Sequence, residues 1–119
     1  MFAARQFLVH LLLPVAVLAQ QPRRPLAIED YYRIKIVGNA RISPGGDWVV
    51  YTVAQRFEEN NAFRIESWVV PTDGRAAPAR IQHEGEDVSA PGWRSDGRLV
   101  YRARGGLYAI VPGRAGPPQ

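Results

Sequence analysis

The sequence contains no cysteine among its 119 residues, and its only histidines are His10 and His83. The absence of cysteine excludes a disulfide framework, a thiolate metal site and a cysteine nucleophile. The four residues after His83 are Glu-Gly-Glu-Asp, so the second histidine of a His-Glu-x-x-His zinc motif is missing as well. We interpret His83 as a loop histidine that is either hydrogen-bonded or exposed to solvent. The sequence therefore predicts no metal site and no cofactor.

Long apolar runs and basic runs are also scarce. The apolar stretch from Phe7 to Leu18 is interrupted by His10 and Pro14, and it is shorter than the roughly 20 residues that a membrane-spanning helix needs. The formal net charge is +4, and the arginines are interspersed with glutamate and aspartate rather than grouped with aromatic residues. This mixed pattern is typical of a solvated surface, so we predict neither a stable membrane span nor nucleic-acid binding.

The amino terminus has the pattern of a secretory signal peptide. One basic residue, Arg5, precedes the apolar stretch, and Val17-Leu18-Ala19 resembles a signal peptidase site. We predict a signal peptide at residues 1–19, cleavage after Ala19, and a periplasmic or secreted product. Cleavage leaves fourteen basic and eleven acidic residues, a net charge of +3. The segment 20–26 contains two prolines and no periodicity, and it is predicted to be a linker.

Residues 27–119 are predicted to form the folded part, beginning with a helix. In LAIEDYYRIKIVG the apolar positions partly follow helical spacing, and Glu29 and Asp30 favour the first turn. Gly38-Asn39 can end a helix. We therefore predict a short helix of about two or three turns in this segment.

From Arg41 onward the pattern is typical of strands, and one stretch occurs twice. ISPGGDWVVYT at residues 42–52 is similar to WRSDGRLVYRA at residues 93–103, because in each a polar turn with a glycine precedes an apolar strand. A hairpin is expected from Arg41 to about Gln55. The first copy continues through IESWVVP, a turn at Asp73-Gly74 and a short strand in PARIQ. The second copy continues through LYAIV and then has no apolar run for a fourth strand.

The repeat predicts an all-β fold, namely an incomplete β-propeller of about two four-stranded blades with a period of about 40 to 50 residues. Blade one spans about residues 41–83, and the incomplete blade two spans about residues 88–113. The missing strand would leave an unpaired edge beside exposed Leu107, Tyr108 and Ile110. Such an open blade edge favours self-association.

The order of these motifs resembles a known family. A signal peptide followed by IEDYYRI, ISPGG, EENN and WVVPTDG is similar to the amino-terminal part of exported bacterial peptidases of the prolyl oligopeptidase family, in the acylaminoacyl and dipeptidyl aminopeptidase branch. The resemblance covers most of the mature chain and implies a truncated propeller part. The Ser-Pro-Asp-Gly hairpin motif of that family is changed here to Ser43-Pro44-Gly45-Gly46 and to Arg94-Ser95-Asp96-Gly97.

The family resemblance implies a peptide substrate for the full-length parent protein. In that family a carboxy-terminal α/β-hydrolase domain carries the catalytic serine of a Gly-x-Ser-x-Gly motif. None of the serines of this chain has glycine two residues away on both sides, namely Ser43, Ser67, Ser89 and Ser95. We therefore expect a non-catalytic propeller fragment of a secreted serine peptidase, with no catalytic residue of its own. Because TolB-like propellers share the hairpin motif, a binding module without enzymatic activity is the alternative.

Two further groups of residues are candidates for function. The run Glu58-Glu59-Asn60-Asn61 offers oxygen ligands for a hard cation and resembles the glutamate pair with which dipeptidyl peptidases bind a substrate amino terminus. That family pair lies elsewhere in the propeller, and a solvated loop is the favoured interpretation. The aromatic residues at strand positions are expected to be buried rather than to stack on a ligand. These are Trp48, Tyr51, Trp68, Trp93, Tyr101 and Tyr108.

Overall fold

The computed structural model describes residues 24–114. The predicted signal peptide, the beginning of the linker and the last five residues lie outside the described residues. The described part is mostly β, with two antiparallel sheets and one short helix, so the all-β fold class is confirmed. Residues 24–26 of the predicted linker are exposed and lie in no regular element.

One helix and eight strands follow one another along the chain. The helix α1 spans Ile28–Arg33. The first sheet has the strand order β1-β2-β3-β4-β5. Its strands are β1 (Lys35–Ile42), β2 (Trp48–Arg56), β3 (Phe63–Pro71), β4 (Ala79–His83) and β5 (Glu86–Asp87). The second sheet has the order β6-β7-β8, with β6 (Ser89–Trp93), β7 (Leu99–Ala103) and β8 (Gly106–Ile110).

The helix is shorter than the predicted two or three turns. It has six residues and ends at Arg33. The carboxylate of Asp30 accepts a hydrogen bond from the backbone N–H of Ala27 at 2.9 Å and forms an ion pair with Arg24. These contacts with a cation and an N–H donor lower the pKa of Asp30, the Arg24 contact most. At Ile34 the backbone is already extended, with φ −69° and ψ 125°.

The first strand begins at Lys35, six residues before the predicted start of blade one at Arg41. The segment predicted to complete the helix pairs instead with β2, with Lys35 opposite Gln55 and Val37 opposite Val53. Gly38-Asn39, predicted to end the helix, lies inside β1 at a shift in register. Sheet pairing overrides the weak helical spacing here, because β-branched residues in this segment favour extended backbone.

We call the first copy of the repeat, with strands β1 to β5, the first unit, and the second copy, with Val88 and strands β6 to β8, the second unit. The strands of the two units pair in the same way. In both units the first strand is interrupted by a register shift, and the second and third strands form a regular hairpin. Three residue pairs of the first unit have counterparts in the second. Gly38↔Thr52, Arg41↔Val50 and Ile42↔Val49 correspond to Ser89↔Arg102, Gly92↔Val100 and Trp93↔Leu99. The repeat seen in the sequence is therefore also a repeat of sheet pairing.

The turns between the first two strands of each unit are also equivalent. Gly46 has φ 78° and Gly97 has φ 83°, values that glycine adopts at little cost. The N–H of Gly46 donates to the carbonyl of Ser43 at 2.9 Å, and that of Gly97 donates to the carbonyl of Arg94 at 3.0 Å. Both glycine turns were expected from the sequence, and both form the tight connection that a hairpin needs.

The core lies between the two sheets. The first sheet contributes Val50, Val69 and Ile81, and the second unit contributes Val88, Leu99 and Tyr101. The two units bury opposite faces of equivalent strands. In β2, Val50 is buried and Val49 is half-buried, whereas in β7 the counterpart of Val49, Leu99, is buried. The sheets therefore stack with one face of the first against the other face of the second.

The second sheet has three strands, and β8 pairs only with β7 within residues 24–114. The apolar residues of β8 differ from the expected exposed edge. Leu107 is 68% exposed, but Tyr108 and Ile110 are half-buried and pack against the core. The reason is the alternation of a strand, which directs Tyr108 and Ile110 to the covered face and Leu107 to the other.

Candidate functional site

The candidate site is a groove where the first strands of the two units meet. Its volume is about 380 Å³. It is lined by Asn39, Arg41, Thr52, Ile65, Ser67, Val88, Ser89, Ala90 and Pro91. Two hydrogen bonds join the units beside it. The indole N–H of Trp93 donates to the carbonyl of Arg41 at 3.0 Å, and the Ser67 hydroxyl donates to the carbonyl of Val88 at 3.1 Å.

Two left-handed residues shape the groove from opposite sides. Asn39 has φ 51° and Ala90 has φ 49°, and both lie at the register shifts in the first strands of the two units. Asparagine tolerates this backbone region, whereas for alanine it costs about 1 kcal/mol or more. Because each shift breaks the regular pairing, the strand bends there and leaves room between the sheets.

Arg41 is the cation of the groove. Its side chain is exposed, and it makes no ion pair or hydrogen bond with any residue in the described range 24–114. The neighbouring Thr52 hydroxyl is occupied by hydrogen bonds within the first sheet. It donates to the carbonyl of Gly38 at 3.0 Å and accepts from the Asn39 amide at 3.4 Å. The guanidinium of Arg41 can therefore donate to a carboxylate or a carbonyl oxygen of a ligand.

The sequence reasoning did not select Arg41 or Asn39. The sequence signal for these two residues appears when the alignment of the two repeats is extended upstream through their first strands. Asn39 then aligns with Ala90, and Arg41 aligns with Gly92. The second unit therefore has a glycine, without a side chain, at the position equivalent to Arg41. A Cβ on Gly92 would lie 3.8 Å from the Arg41 guanidinium.

Within residues 24–114 the four serines lie in separate places, and none of them is hydrogen-bonded to a histidine. Ser43 donates to the Asp47 carboxylate at 2.9 Å, and the buried Ser67 donates to a backbone carbonyl. Ser89 donates to the carbonyl of Arg102 at 3.5 Å, and Ser95 lies in an exposed turn. No hydrogen bond within residues 24–114 joins any of them to His83.

The prediction that His83 is a loop residue is wrong. His83 is the last residue of β4 and is buried between the sheets. Its Nδ1 lies 3.4 Å from the Tyr101 hydroxyl, and its ring centroid lies 4.1 Å from that of Tyr108. Burial raises the pKa of Tyr101, and the nearby Tyr108 adds to the shift. His83 is therefore a packing residue between the two sheets, because its ring lies against Tyr101 and Tyr108 of the second unit.

The run Glu58-Glu59-Asn60-Asn61 forms the exposed connection between β2 and β3, as expected. The Asn60 amide oxygen accepts from the Ala62 N–H at 3.0 Å, and Arg56 donates to the Asn61 side chain at 2.6 Å. The amide groups therefore close the turn. In the described part of the chain, no three histidine, aspartate or glutamate side chains are grouped so that they could hold a metal ion.

The six selected aromatic residues all lie in strands, but only Tyr101 is fully buried. Trp48, Trp93 and Tyr108 are half-buried against the core. Tyr51 and Trp68 are half-buried on the face of the first sheet that the second sheet does not cover. The aromatic residues that lie between the two sheets are therefore buried or half-buried against the core, as expected, whereas Tyr51 and Trp68 lie outside it.

Neither the protein-family models nor the curated proteins with which the sequence was compared gave a match. Within residues 24–114, no helix is long and apolar enough to cross a lipid bilayer.

Proposed function

We propose that this chain is a non-catalytic propeller part of an exported serine peptidase of the prolyl oligopeptidase family, whose full-length form hydrolyses short peptides. In this proposal residues 1–19 direct export to the periplasm or the medium, and signal peptidase cleaves after Ala19. The two sheets are successive blades, the second with three strands.

The observation that carries the proposal is the way in which the two sheets stack. Equivalent strands bury opposite faces, Val50 in the first unit and Leu99 in the second. Two sheets that face each other as in a two-fold sandwich would bury equivalent residues of both. A stack in which the front of one unit covers the back of the next can continue around an axis, which is the arrangement of propeller blades.

The peptidase part of the proposal is supported by the order of the motifs in the sequence. In the parent protein, the nucleophile belongs to a separate hydrolase domain. The role of this part is then to restrict which peptides reach that domain.

The experiment that tests this function has two arms. We expect the purified chain to leave acyl-peptide and dipeptidyl chromogenic substrates intact. We also expect the coding DNA beyond the Gln119 codon to encode further blades and a Gly-x-Ser-x-Gly segment. Turnover that disappears when Ser43, Ser67, Ser89 or Ser95 is changed to alanine would contradict the first expectation, and blades followed by no hydrolase domain would contradict the second.

The groove at Arg41 favours a second candidate, a TolB-like binding module with no enzymatic activity. An arginine in a groove, with no ion pair or hydrogen bond from its side chain to another residue of 24–114, is suited to a peptide carboxylate. We expect a peptide with a free carboxyl terminus to bind more tightly than its amidated form, and Arg41→Gln to remove the difference. Isothermal titration calorimetry measures both, with Arg114→Gln as the matched control at an exposed arginine outside the groove. Equal affinities of the wild-type chain for the two peptides would exclude this role for Arg41.

A further inference from the structure

The first sheet projects beyond the second sheet at the end where the groove lies. The strands β1, β2 and β3 have eight or nine residues, whereas β6, β7 and β8 have five each. The second sheet covers Val50 and Val69, which are 0% and 7% exposed. Because its strands are shorter, the same side of the first sheet continues past this contact.

The continuation carries three apolar residues side by side. Ala54 of β2 lies opposite Ile36 of β1 and opposite Ile65 of β3, so the three residues form one row across the sheet. They share the side of Val50, because every second residue of β2 lies on the same face. Ile36 is 57% exposed, Ile65 is 56% exposed, and Ala54 is half-buried. We call Ile36, Ala54 and Ile65 the apolar row.

The next residue of β2 on this side is Arg56, which bounds the apolar row. Its guanidinium carbon lies 4.1 Å from the centroid of the Phe63 ring, and its Nη1 donates to the carbonyl of Asn61 at 3.0 Å. This cation is therefore engaged by the end of β2 and the connection to β3. The row itself presents only methyl and methylene groups, so it is suited to an apolar side chain of a ligand.

The apolar row borders the groove. Ile65 is one of the residues that line the groove, and the row of Thr52 and Ser67 lies between Ile65 and Arg41. The hydroxyls of Thr52 and Ser67 both donate to backbone carbonyl groups of the protein. A ligand in the groove therefore meets a cation at one end and an apolar surface at the other.

The register of the strands gives the spacing of these two ends. Arg41 lies opposite Val50 and Ile65 lies opposite Ala54, and the two residues of β2 are four positions apart. At about 3.4 Å per residue, their Cα atoms are about 13 Å apart. An extended peptide advances by the same distance per residue, and the arginine side chain can shorten the span. A carboxylate at Arg41 thus places the third or fourth residue of a peptide, counted from its carboxyl terminus, on the apolar row.

We propose that the groove binds the carboxyl-terminal segment of a peptide with an apolar side chain at the third or fourth position from its carboxyl terminus. The terminal carboxylate accepts hydrogen bonds from Arg41, and the apolar side chain packs on the apolar row. Among the described residues that line the groove, Arg41 alone is charged, so charge complementarity selects an anionic end. The volume of about 380 Å³ lies in the range of small-ligand pockets.

This choice of peptide rests on the proposed carboxylate-binding role of Arg41 and adds the second anchor to it. It is compatible with further blades of the same polypeptide. The two sheets face each other through Val50 and Leu99, whereas further blades would stack on the opposite faces, which carry Val49 and Val100. The space between the first two sheets, where the groove lies, is left free by such blades.

Isothermal titration calorimetry with acetylated tetrapeptides tests the proposal on the unmodified chain. Acetyl-Leu-Leu-Gly-Gly has leucine at both predicted positions, acetyl-Ser-Ser-Gly-Gly replaces both, and each is used with a free and with an amidated carboxyl terminus. We expect the leucine peptide with a free carboxylate to bind about tenfold more tightly than the serine peptide, since part of the leucine side chain leaves water. Acetyl-Gly-Gly-Leu-Leu, which has the same composition, should bind about as weakly as the serine peptide.

Two variants assign the anchors to their residues. Ile65→Ser should remove the preference for leucine and keep the preference for a free carboxylate, and Arg41→Gln should do the reverse. The matched control is Ile42→Ser, because Ile42 is 66% exposed but lies on the opposite face of β1. It should leave both preferences unchanged. The comparison of peptides on the wild-type chain stands even if a variant unfolds.

The outcomes separate this proposal from the functions on which it rests. Equal affinities for the leucine and serine peptides, with the free carboxylate still preferred, would overturn the choice of peptide and leave the role of Arg41 intact. Equal affinities for the free and amidated peptides would overturn both, and would leave the peptidase proposal to its own test with chromogenic substrates and coding DNA. Octanoate that binds as tightly as the leucine peptide would overturn the peptide as the occupant.

Discussion

Replacing Val50 and Val49 by alanine, one at a time, tests which face of β2 carries the core. The two residues are neighbours in the chain and chemically identical, and both lie in the middle of the same strand. Val50 is 0% exposed and lies opposite Val69 with the second unit above it, whereas Val49 is half-buried on the face of the first sheet that the second sheet does not cover. The pair therefore differs only in what covers each side chain.

The expected effects follow from the buried groups that are lost. Val50→Ala removes the equivalent of two methylene groups from a fully buried site, at about 0.8 kcal/mol each. The cavity that remains adds to this cost, so we expect the free energy of unfolding to fall by about 2 to 3 kcal/mol. Val49→Ala should cost about 1 kcal/mol or less, because solvent already reaches this side chain. For a domain of this size, the first loss lowers the urea midpoint by about 2 to 3 M at a slope near 1 kcal/mol per M.

Urea unfolding followed by tryptophan fluorescence and by circular dichroism measures both values. The protein concentration should be low enough to dissociate any assembly, because association stabilises the folded state by mass action. In the second unit the order of the faces is reversed, so Leu99→Ala should cost more than Val100→Ala. Equal losses for Val49→Ala and Val50→Ala, or a larger loss for Val49→Ala, would refute the assignment of the core to the Val50 face.

Three further predictions concern other parts of the chain. Because burial raises the pKa of Tyr101 above its ordinary value of about 10, its contribution to stability is complete below that pH and is lost as pH rises through the folded-state pKa; urea midpoints measured above pH 10 should fall less steeply for Tyr101→Phe than for wild type, and equal slopes would contradict this. Gly97→Ala should cost about 1 kcal/mol in thermal or urea unfolding through its φ of 83° alone, since no atom lies within 4 Å of the added Cβ, whereas the control Gly92→Ala has no positive φ and its added Cβ meets only the Arg41 guanidinium at 3.8 Å. Amino-terminal sequencing of the chain exported from a Gram-negative host should begin at Gln20, and recovery of intact Met1 in the membrane fraction would disprove cleavage after Ala19.

The strands and turns of the repeat were predictable because their signals are local. A glycine at a left-handed position such as Gly46 or Gly97 fixes a tight turn, and the β-branched and aromatic residues after it favour extended backbone. The second copy was expected to continue through LYAIV as the first continues through IESWVVP, and the registers of the β7–β8 and β2–β3 pairs align these segments, with Tyr108 opposite Tyr101 where Trp68 lies opposite Tyr51.

The start of β1 was not predictable in this way. Residues 34–37 fit a helix and a strand about equally well, and their pairing with residues near Gln55 decides between them. The groove at Arg41 depends on the approach of β6 to β1, and the burial of His83 depends on Tyr101 and Tyr108 from the other sheet. Each of these features arises between residues far apart in the sequence, so no local pattern reports it.

The sequence by itself determined that this chain forms antiparallel strands in two similar units, because turn chemistry and extended propensity act over a few residues. It did not determine which face of each sheet is buried. In β2 both faces are apolar, with Val49 and Tyr51 on one side and Trp48 and Val50 on the other, so the alternation of side chains offers two equally suitable surfaces. Only the position of the second sheet, which covers Val50 and leaves Val49 on the uncovered face of the first sheet, decides between them.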